Sequence, residues 1–119
     1  SIGDCSPRTA PGRDGRRPRL DVRGKRVLAP LTTVGNLPFR RLCVALGAEV
    51  TYGEMALATG LLQGQPSEWA LAKMHHSERC FGVQICAGFP DAAARAAQVV
   101  AERLPAVDFV DLNFGCPID

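Results

Sequence analysis

Aromatic residues are scarce in this chain: five Phe, one Tyr and one Trp among 119 positions. A platform that stacks successive bases of single-stranded nucleic acid therefore has few candidates. No apolar run approaches the roughly 20 residues of a membrane-spanning helix, so no membrane partner is expected. The charged, apolar and small-residue succession of a signal peptide is missing too. The cysteines (Cys5, Cys43, Cys80, Cys86 and Cys116) are odd in number and never spaced as CxxC. That argues against a disulfide framework and a zinc ribbon, and favours a reducing compartment. The expected location is the cytoplasm, with the nucleus as the alternative. With 46% apolar and 22% charged residues, the chain is too apolar for a disordered polymer. Its length suits one modest domain around a single core.

The net charge of +2 hides an asymmetry. Residues 1–26 carry eight Arg or Lys against three Asp, a net of +5, whereas residues 27–119 carry six basic against nine acidic groups, a net of −3. Residues 1–25 are rich in Gly, Pro and Arg with little to bury, and are expected to be a disordered basic leader with a short extended piece near Leu20 to Val22. Such an arm either attracts nucleic-acid phosphates or is a solvated linker.

From Arg26 onward the pattern alternates between strand and helix. Val27-Leu28-Ala29 is a short apolar strand closed by Pro30. Asn36 is suited to cap a helix with Pro38 in its first turn, where a missing N–H costs nothing. Phe39, Leu42, Cys43 and Leu46 fall at helical spacing on its expected inner face, and Gly47 ends it. Residues 49–53 form a second strand with Glu54 just past its end. A longer loop over residues 55–66 holds one helical turn near Ala56 to Leu62, and Ser67 caps a short helix over Glu68 to Met74 that leads into His75 and His76. Residues 81–86 (FGVQIC) make a third strand, and the Ala-rich stretch Asp91 to Leu104 makes a helix with Val99, Val100 and Leu104 on its apolar face. Val107 to Asn113 alternates apolar and polar residues as a fourth strand, stopped by Gly115 and Pro117.

Four strands separated by helical segments imply an α/β fold with a parallel sheet and right-handed crossovers. Their spacing suits the first four β/α units of a TIM (β/α)8 barrel of about 250 residues, a truncated barrel on this count. The domain division is therefore a leader over 1–25 and half a barrel over 26–119. Unpaired parallel edges on such a half invite self-association.

The residues that follow each strand would gather on one face of the sheet, where barrel enzymes place their chemistry. After the first strand come Pro30, Leu31 and Thr32; after the second, Glu54; near the end of the third, Gln84; after the fourth, Asn113 and Cys116. Gln84 and Asn113 each carry an amide donor and acceptor, suited to the polar edge of a heterocycle, unless local backbone takes them up. A free thiol has a pKa of about 8.5, so at neutral pH it is mostly protonated and able to donate. With both histidines distant in sequence, proton donation suits Cys116 better than a Cys–His nucleophile. A small buried apolar Cys is the plain alternative. Trp69 is read as a packing residue. A metal site from His75, His76 and Cys80 is not expected, since adjacent histidines point apart on a helix.

The segment 27–119 resembles the start of the flavin-dependent tRNA-dihydrouridine synthase barrel. The motifs that carry the resemblance are LAPLTTVGNLPFRRLC, Gly-Glu-Met at 53–55, FGVQICAG and above all DLNFGCPID. The loop LATGLLQGQPSEWALAKMH looks like the eukaryotic branch that modifies the tRNA variable loop. The resemblance implies an FMN enzyme that reduces the C5–C6 double bond of a uridine in tRNA, with NADPH as reductant. It implies further that Pro30, Leu31 and Thr32 hold the isoalloxazine, that Gln84 hydrogen-bonds its ring, and that Asn113 contacts flavin and target uracil. Cys116 would protonate C5, Glu54 would lie near the substrate, and no metal is implied. Family members are expected to be monomeric. The family's second half-barrel and helical tRNA-binding domain are not matched here, so this chain alone is expected to bind FMN poorly and to be inactive. Two other readings stand beside it: another FMN barrel acting on free pyrimidines, and a non-catalytic product that binds RNA or a partner.

Overall fold

The structure is a computed structural model and describes residues 19–116. The expectations for Cys5, most of the leader and Pro117 lie outside the described residues. Within them, residues 19–26 form no helix or strand; Leu20 to Val22 join no sheet and run into a turn closed by the Lys25 N–H donating to the Val22 carbonyl at 3.2 Å.

The first helix forms where capping chemistry places it. Helix α1 spans Leu37–Ala45, with the Asn36 side chain accepting from the Phe39 N–H at 3.0 Å and Pro38 in the first turn. Leu46 is its C-cap, and Gly47 follows with φ of 112°, a left-handed value that a side chain would strain. The expected inner face is only half right. Phe39 and Cys43 are partly buried, but Leu42 and Leu46 are exposed, and the buried residue of α1 is Arg40. An ion pair accounts for this rotation. Arg40 Nε donates to Glu78 Oε1 at 2.7 Å, and its terminal nitrogens reach the carbonyls of Gly35 and Lys73 at 2.9 and 2.7 Å.

The remaining elements are β1 (Val50–Tyr52), β2 (Ala56–Leu57), α2 (Ala58–Leu62), α3 (Pro66–Ala70), β3 (Cys80–Cys86), α4 (Pro90–Arg103) and β4 (Phe109–Leu112). All strand pairs are parallel. Both β1 and β2 lie on one side of β3 and β4 lies on the other, because Gly82 faces Tyr52 and Phe109 while Ile85 faces Ala56 and Leu112. Between Tyr52 and Ala56, three residues oppose two on β3, so β1 and β2 are one strand interrupted by a bulge at residues 53–55. The expected first strand is reduced to a single parallel bridge, Val27 to Val50, with the Leu28 N–H donating to the Val50 carbonyl at 2.9 Å. Pro30 supplies no N–H to extend that ladder.

Two local expectations are corrected. Ser67 does not cap the third helix: Gln65 is the N-cap without a side-chain bond, Pro66 takes the first position, and the helix ends at Ala70. His75 and His76 consequently lie in the turn before β3, where the Glu78 carboxylate accepts from the His75 N–H at 2.9 Å. Strand β4 is shorter than expected, although the Asp108 and Asn113 N–H groups extend its pairing to Phe81 and Ile85 carbonyls.

The core follows from strand alternation. Phe81, Val83 and Ile85 are buried on one face of β3 and pack with Ala96 and Val100 of α4, Ala58 and Leu61 of α2, Ala72 and Val107. The Ala-rich composition of α4 lets its backbone approach the sheet closely. Fully burying a side chain such as Phe81 contributes about 1.5–3 kcal/mol. Leu104 and Val99 are only partly buried, so the apolar face of α4 centres on Ala96 and Val100. The result is a small α/β domain whose sheet is covered by helix on one face.

Candidate functional site

Period-two alternation decides which side chains meet on the other face of the sheet. Gly82 and Gln84 point away from the α4 core, and the register Gly82 to Phe109 and Gln84 to Asp111 sets those four positions side by side. Tyr52 joins them opposite Gly82, its ring edge-on to Phe109 at 4.9 Å between centroids and 77° between planes. A Cβ at residue 82 would overlap the Phe109 ring, so glycine is what lets that ring lie across the sheet. Above this aromatic layer, toward the C-terminal strand ends, the face becomes polar.

Three side chains form a continuous hydrogen-bonded row there. Gln84 Nε2 donates to Asp111 Oδ2 at 2.7 Å, and Asn113 Nδ2 donates to Gln84 Oε1 at 3.2 Å. Asn113 Oδ1 then accepts from the N–H groups of Gly115 and Cys116 at 2.9 and 3.0 Å. The strand-end loop carrying the thiol is therefore folded around the Asn113 side chain, an Asx-type turn. Gln84 is 8% exposed and has both ends of its amide partnered. Tyr52 lies close enough to feel Asp111: burial first, then the Asp111 charge, then Cys80, push its phenol above the ordinary value.

A second cluster forms at the first loop. Glu54, in the bulge after β1, accepts the Thr33 N–H on Oε1 at 2.9 Å. Thr33 has φ of 65°, an unusual conformation for a non-glycine residue, and the loop is tightened by the Gly35 N–H donating to the Leu31 carbonyl at 2.7 Å. Leu31 and Thr32 are exposed, and Pro30 is half-buried. The bulge aims Glu54 at this loop.

The sequence-predicted residues thus fall into two groups. Gln84, Asn113 and the backbone of Cys116 are joined directly by hydrogen bonds; Glu54 is joined to the loop of Pro30, Leu31 and Thr32 through Thr33. Among the described residues, no side-chain hydrogen bond crosses from one group to the other; the sheet holds them in register. The expectation that Asn113 presents an acceptor as well as a donor is corrected, because its carbonyl oxygen already serves two backbone N–H groups. Sequence reasoning passed over Asp111, although its position two residues before Asn113 on an alternating strand places both on one face. It also passed over Arg40 and Glu78, for which no spacing signal exists.

The rings of His75 and His76 lie against each other, with centroids 3.9 Å apart and planes tilted by 37°, rather than pointing apart as expected of a helix. His75 Nδ1 lies 2.8 Å from Ser77 Oγ. Its pKa is lowered, first by burial and then by Arg41 and His76. Among the described residues, no group of three His, Cys, Asp or Glu side chains is placed to hold a metal ion. Trp69 donates its indole N–H to the Leu61 carbonyl at 3.0 Å and packs against the core, in line with a packing role. No helix among the described residues is long and apolar enough to cross a membrane.

A family model described as dihydrouridine synthase (Dus) matches residues 27–119. The chain is similar to an Arabidopsis thaliana protein named tRNA-dihydrouridine(47) synthase [NAD(P)(+)]-like, at 62% identity over 100 residues, covering 84% of this chain and 14% of that protein. It is 61% identical over 101 residues to the Homo sapiens protein of the same name, covering 85% of this chain and 15% of that one. It is 56% identical over 110 residues to the Coprinopsis cinerea tRNA-dihydrouridine(47) synthase [NAD(P)(+)], covering 92% of this chain and 16% of that one. The chain thus spans about 14–16% of the length of these curated relatives.

Proposed function

Because the chain belongs to the dihydrouridine synthase family, we propose that its polar sheet face is the flavin-facing part of an enzyme that reduces a uridine of tRNA to dihydrouridine. On this reading, residues 26–119 are the first four β/α units of a (β/α)8 barrel, the bridge at Val27 standing for the first strand. The basic residues before Arg26 form a separate leader. The observation that carries the reading is the row Asp111–Gln84–Asn113 ending on the Cys116 loop. It lines amide donors and a thiol along the strand ends of one open face, where barrel enzymes bind their ligands.

The donor set fits FMN. Gln84 and Asn113 each keep one amide hydrogen beyond those in the row, a donor suited to a carbonyl oxygen of a flat heterocycle. Pro30, Leu31 and Thr32 would complete the flavin site from the first loop, which Glu54 holds through Thr33. When bound, FMN reduced by NADPH supplies a hydride to C6 of the uracil. Asn113 orients flavin and uracil, and Cys116 delivers the proton to C5, so that one hydride and one proton saturate the double bond. The target uridine must leave its stack to reach this face. Glu54, placed near the substrate by family resemblance, acts here by shaping the first loop.

Titration of FMN into the chain, followed by quenching of flavin fluorescence, tests the reading. Weak but saturable quenching is expected, lost in Asn113→Ala and Gln84→Ala and retained in Cys116→Ala. Quenching indifferent to Asn113→Ala and Gln84→Ala, or none at all from folded protein, would remove the flavin from this face.

A further inference from the structure

We propose that Asp111 sets the direction of the Gln84–Asn113 amide pair, and through it holds the Cys116 loop, so that Asn113 meets a ligand as a hydrogen-bond donor only. Amide oxygen and nitrogen are interchangeable in shape, so the direction of such a row must be imposed from its ends. At one end stands Asp111, whose ionised carboxylate only accepts and therefore takes the nitrogen of Gln84 at 2.7 Å. At the other end stand two backbone N–H groups, those of Gly115 and Cys116, which only donate and therefore take the oxygen of Asn113. The middle bond, Asn113 Nδ2 to Gln84 Oε1, is the one arrangement compatible with both ends. Reversing the row would face the Gln84 oxygen against a carboxylate and leave two N–H groups without their acceptor.

The direction has a consequence for recognition. Both lone pairs of Asn113 Oδ1 are engaged, so what Asn113 offers a ligand is its second amide hydrogen. Gln84 likewise offers its second hydrogen, beside one remaining lone pair. The row therefore favours a ligand that presents carbonyl oxygens to it. That consequence rests on the flavin reading above; the direction of the row does not. Asp111 itself touches no ligand in this scheme and is a positioning residue.

The experiment uses the whole 119-residue chain, labelled with nitrogen-15, without FMN. Asp111→Leu removes the acceptor at similar size, and Asp111→Asn keeps a carbonyl acceptor. In Asp111→Leu the Asn113 side-chain amide resonance is expected to move, although residue 111 does not bond to it. Exchange of the Gly115 and Cys116 N–H groups should accelerate several-fold. The Asn113 backbone N–H, bonded to the Ile85 carbonyl at 2.9 Å, should stay protected and report an intact sheet. Asp111→Asn should keep the wild-type pattern; because Leu fills the same space, loss confined to Asp111→Leu reports the missing acceptor rather than missing volume. Gln84→Met cuts the row at its centre with Asp111 in place, and should give the same loosening even where Asp111→Leu fails to fold. Wild-type exchange at Gly115 and Cys116 in Gln84→Met, or equal loss in both Asp111 variants, overturns the assignment. FMN titration of the same samples is read separately: no binding by the parent chain sinks the flavin reading and leaves the measured direction of the row standing.

Discussion

Replacing Arg40 with Met should be the most damaging single change outside the sheet core. Arg40 and Glu78 are 2% and 1% exposed, so their pairing is shielded from water. The guanidinium bonds Glu78 at 2.7 Å and covers the carbonyls of Gly35 and Lys73, while lying 5.0 Å above the Phe81 ring. Met fills much of the volume and supplies none of these donors. Glu78 is left as a buried carboxylate served by the Thr51 hydroxyl and the His75 N–H. Breaking a buried pair on one side costs about 3–5 kcal/mol, a large part of the roughly 5–15 kcal/mol that stabilises a domain. Removing both charges is a smaller perturbation, because the dominant cost is a buried carboxylate deprived of its guanidinium rather than the lost attraction. Arg40→Met/Glu78→Leu should therefore be more stable than Arg40→Met alone, by at least about 1 kcal/mol. It should remain below wild type, since Thr51, His75, Gly35 and Lys73 still lose partners. Urea denaturation followed by Trp69, the single tryptophan, measures all four corners of the cycle. A cost below about 1 kcal/mol for Arg40→Met, or a double variant no more stable than the single, would refute the account.

Gly82→Ala should destabilise by about 1–3 kcal/mol, because the new methyl displaces the Phe109 ring from its edge-on contact with Tyr52. Adding Phe109→Leu to that background should recover part of the loss in the same urea experiment, and no recovery would mean the strain lies elsewhere. Tyr52, the single tyrosine, should titrate above about 10 in an ultraviolet difference titration. The folded state binds this proton more tightly than the unfolded chain. Its contribution is therefore fully present below the unfolded phenol value and is lost as pH rises through the higher folded value. Asp111→Asn should lower the Tyr52 value by removing the nearby charge while burial still holds it up; a wild-type value in that variant would contradict the placement of Asp111.

Elements with a local physical signature were legible in the chain itself. The Asn36 cap with Pro38 fixed the start of α1 to the residue, because a side-chain acceptor and a missing N–H act within one turn. Strand β3 and helix α4 were visible from their periodicities, and the alternation of residues 107–113 placed β4 and the thiol loop after it. The first strand was overread, since an apolar triplet says nothing about how many partners the sheet supplies. The bulge between β1 and β2 was invisible, because it is a count of residues on two strands and exists only once they pair.

Sequence by itself determined the parallel α/β character, the family, and which residues stand at the strand ends, since these depend on local periodicity and on motifs contiguous in the chain. Tertiary structure decided what those residues do to one another. It rotated α1 to bury Arg40 rather than Leu42 and Leu46, because a guanidinium taken from water must meet Glu78, 38 positions away, and not the nearest apolar side chain. It turned Glu54 toward the first loop, and it ran the amide row from Asp111 through Gln84 to the Cys116 loop. Hydrogen-bond direction belongs to groups in contact, and contact between β3 and β4 is a property of the folded sheet alone.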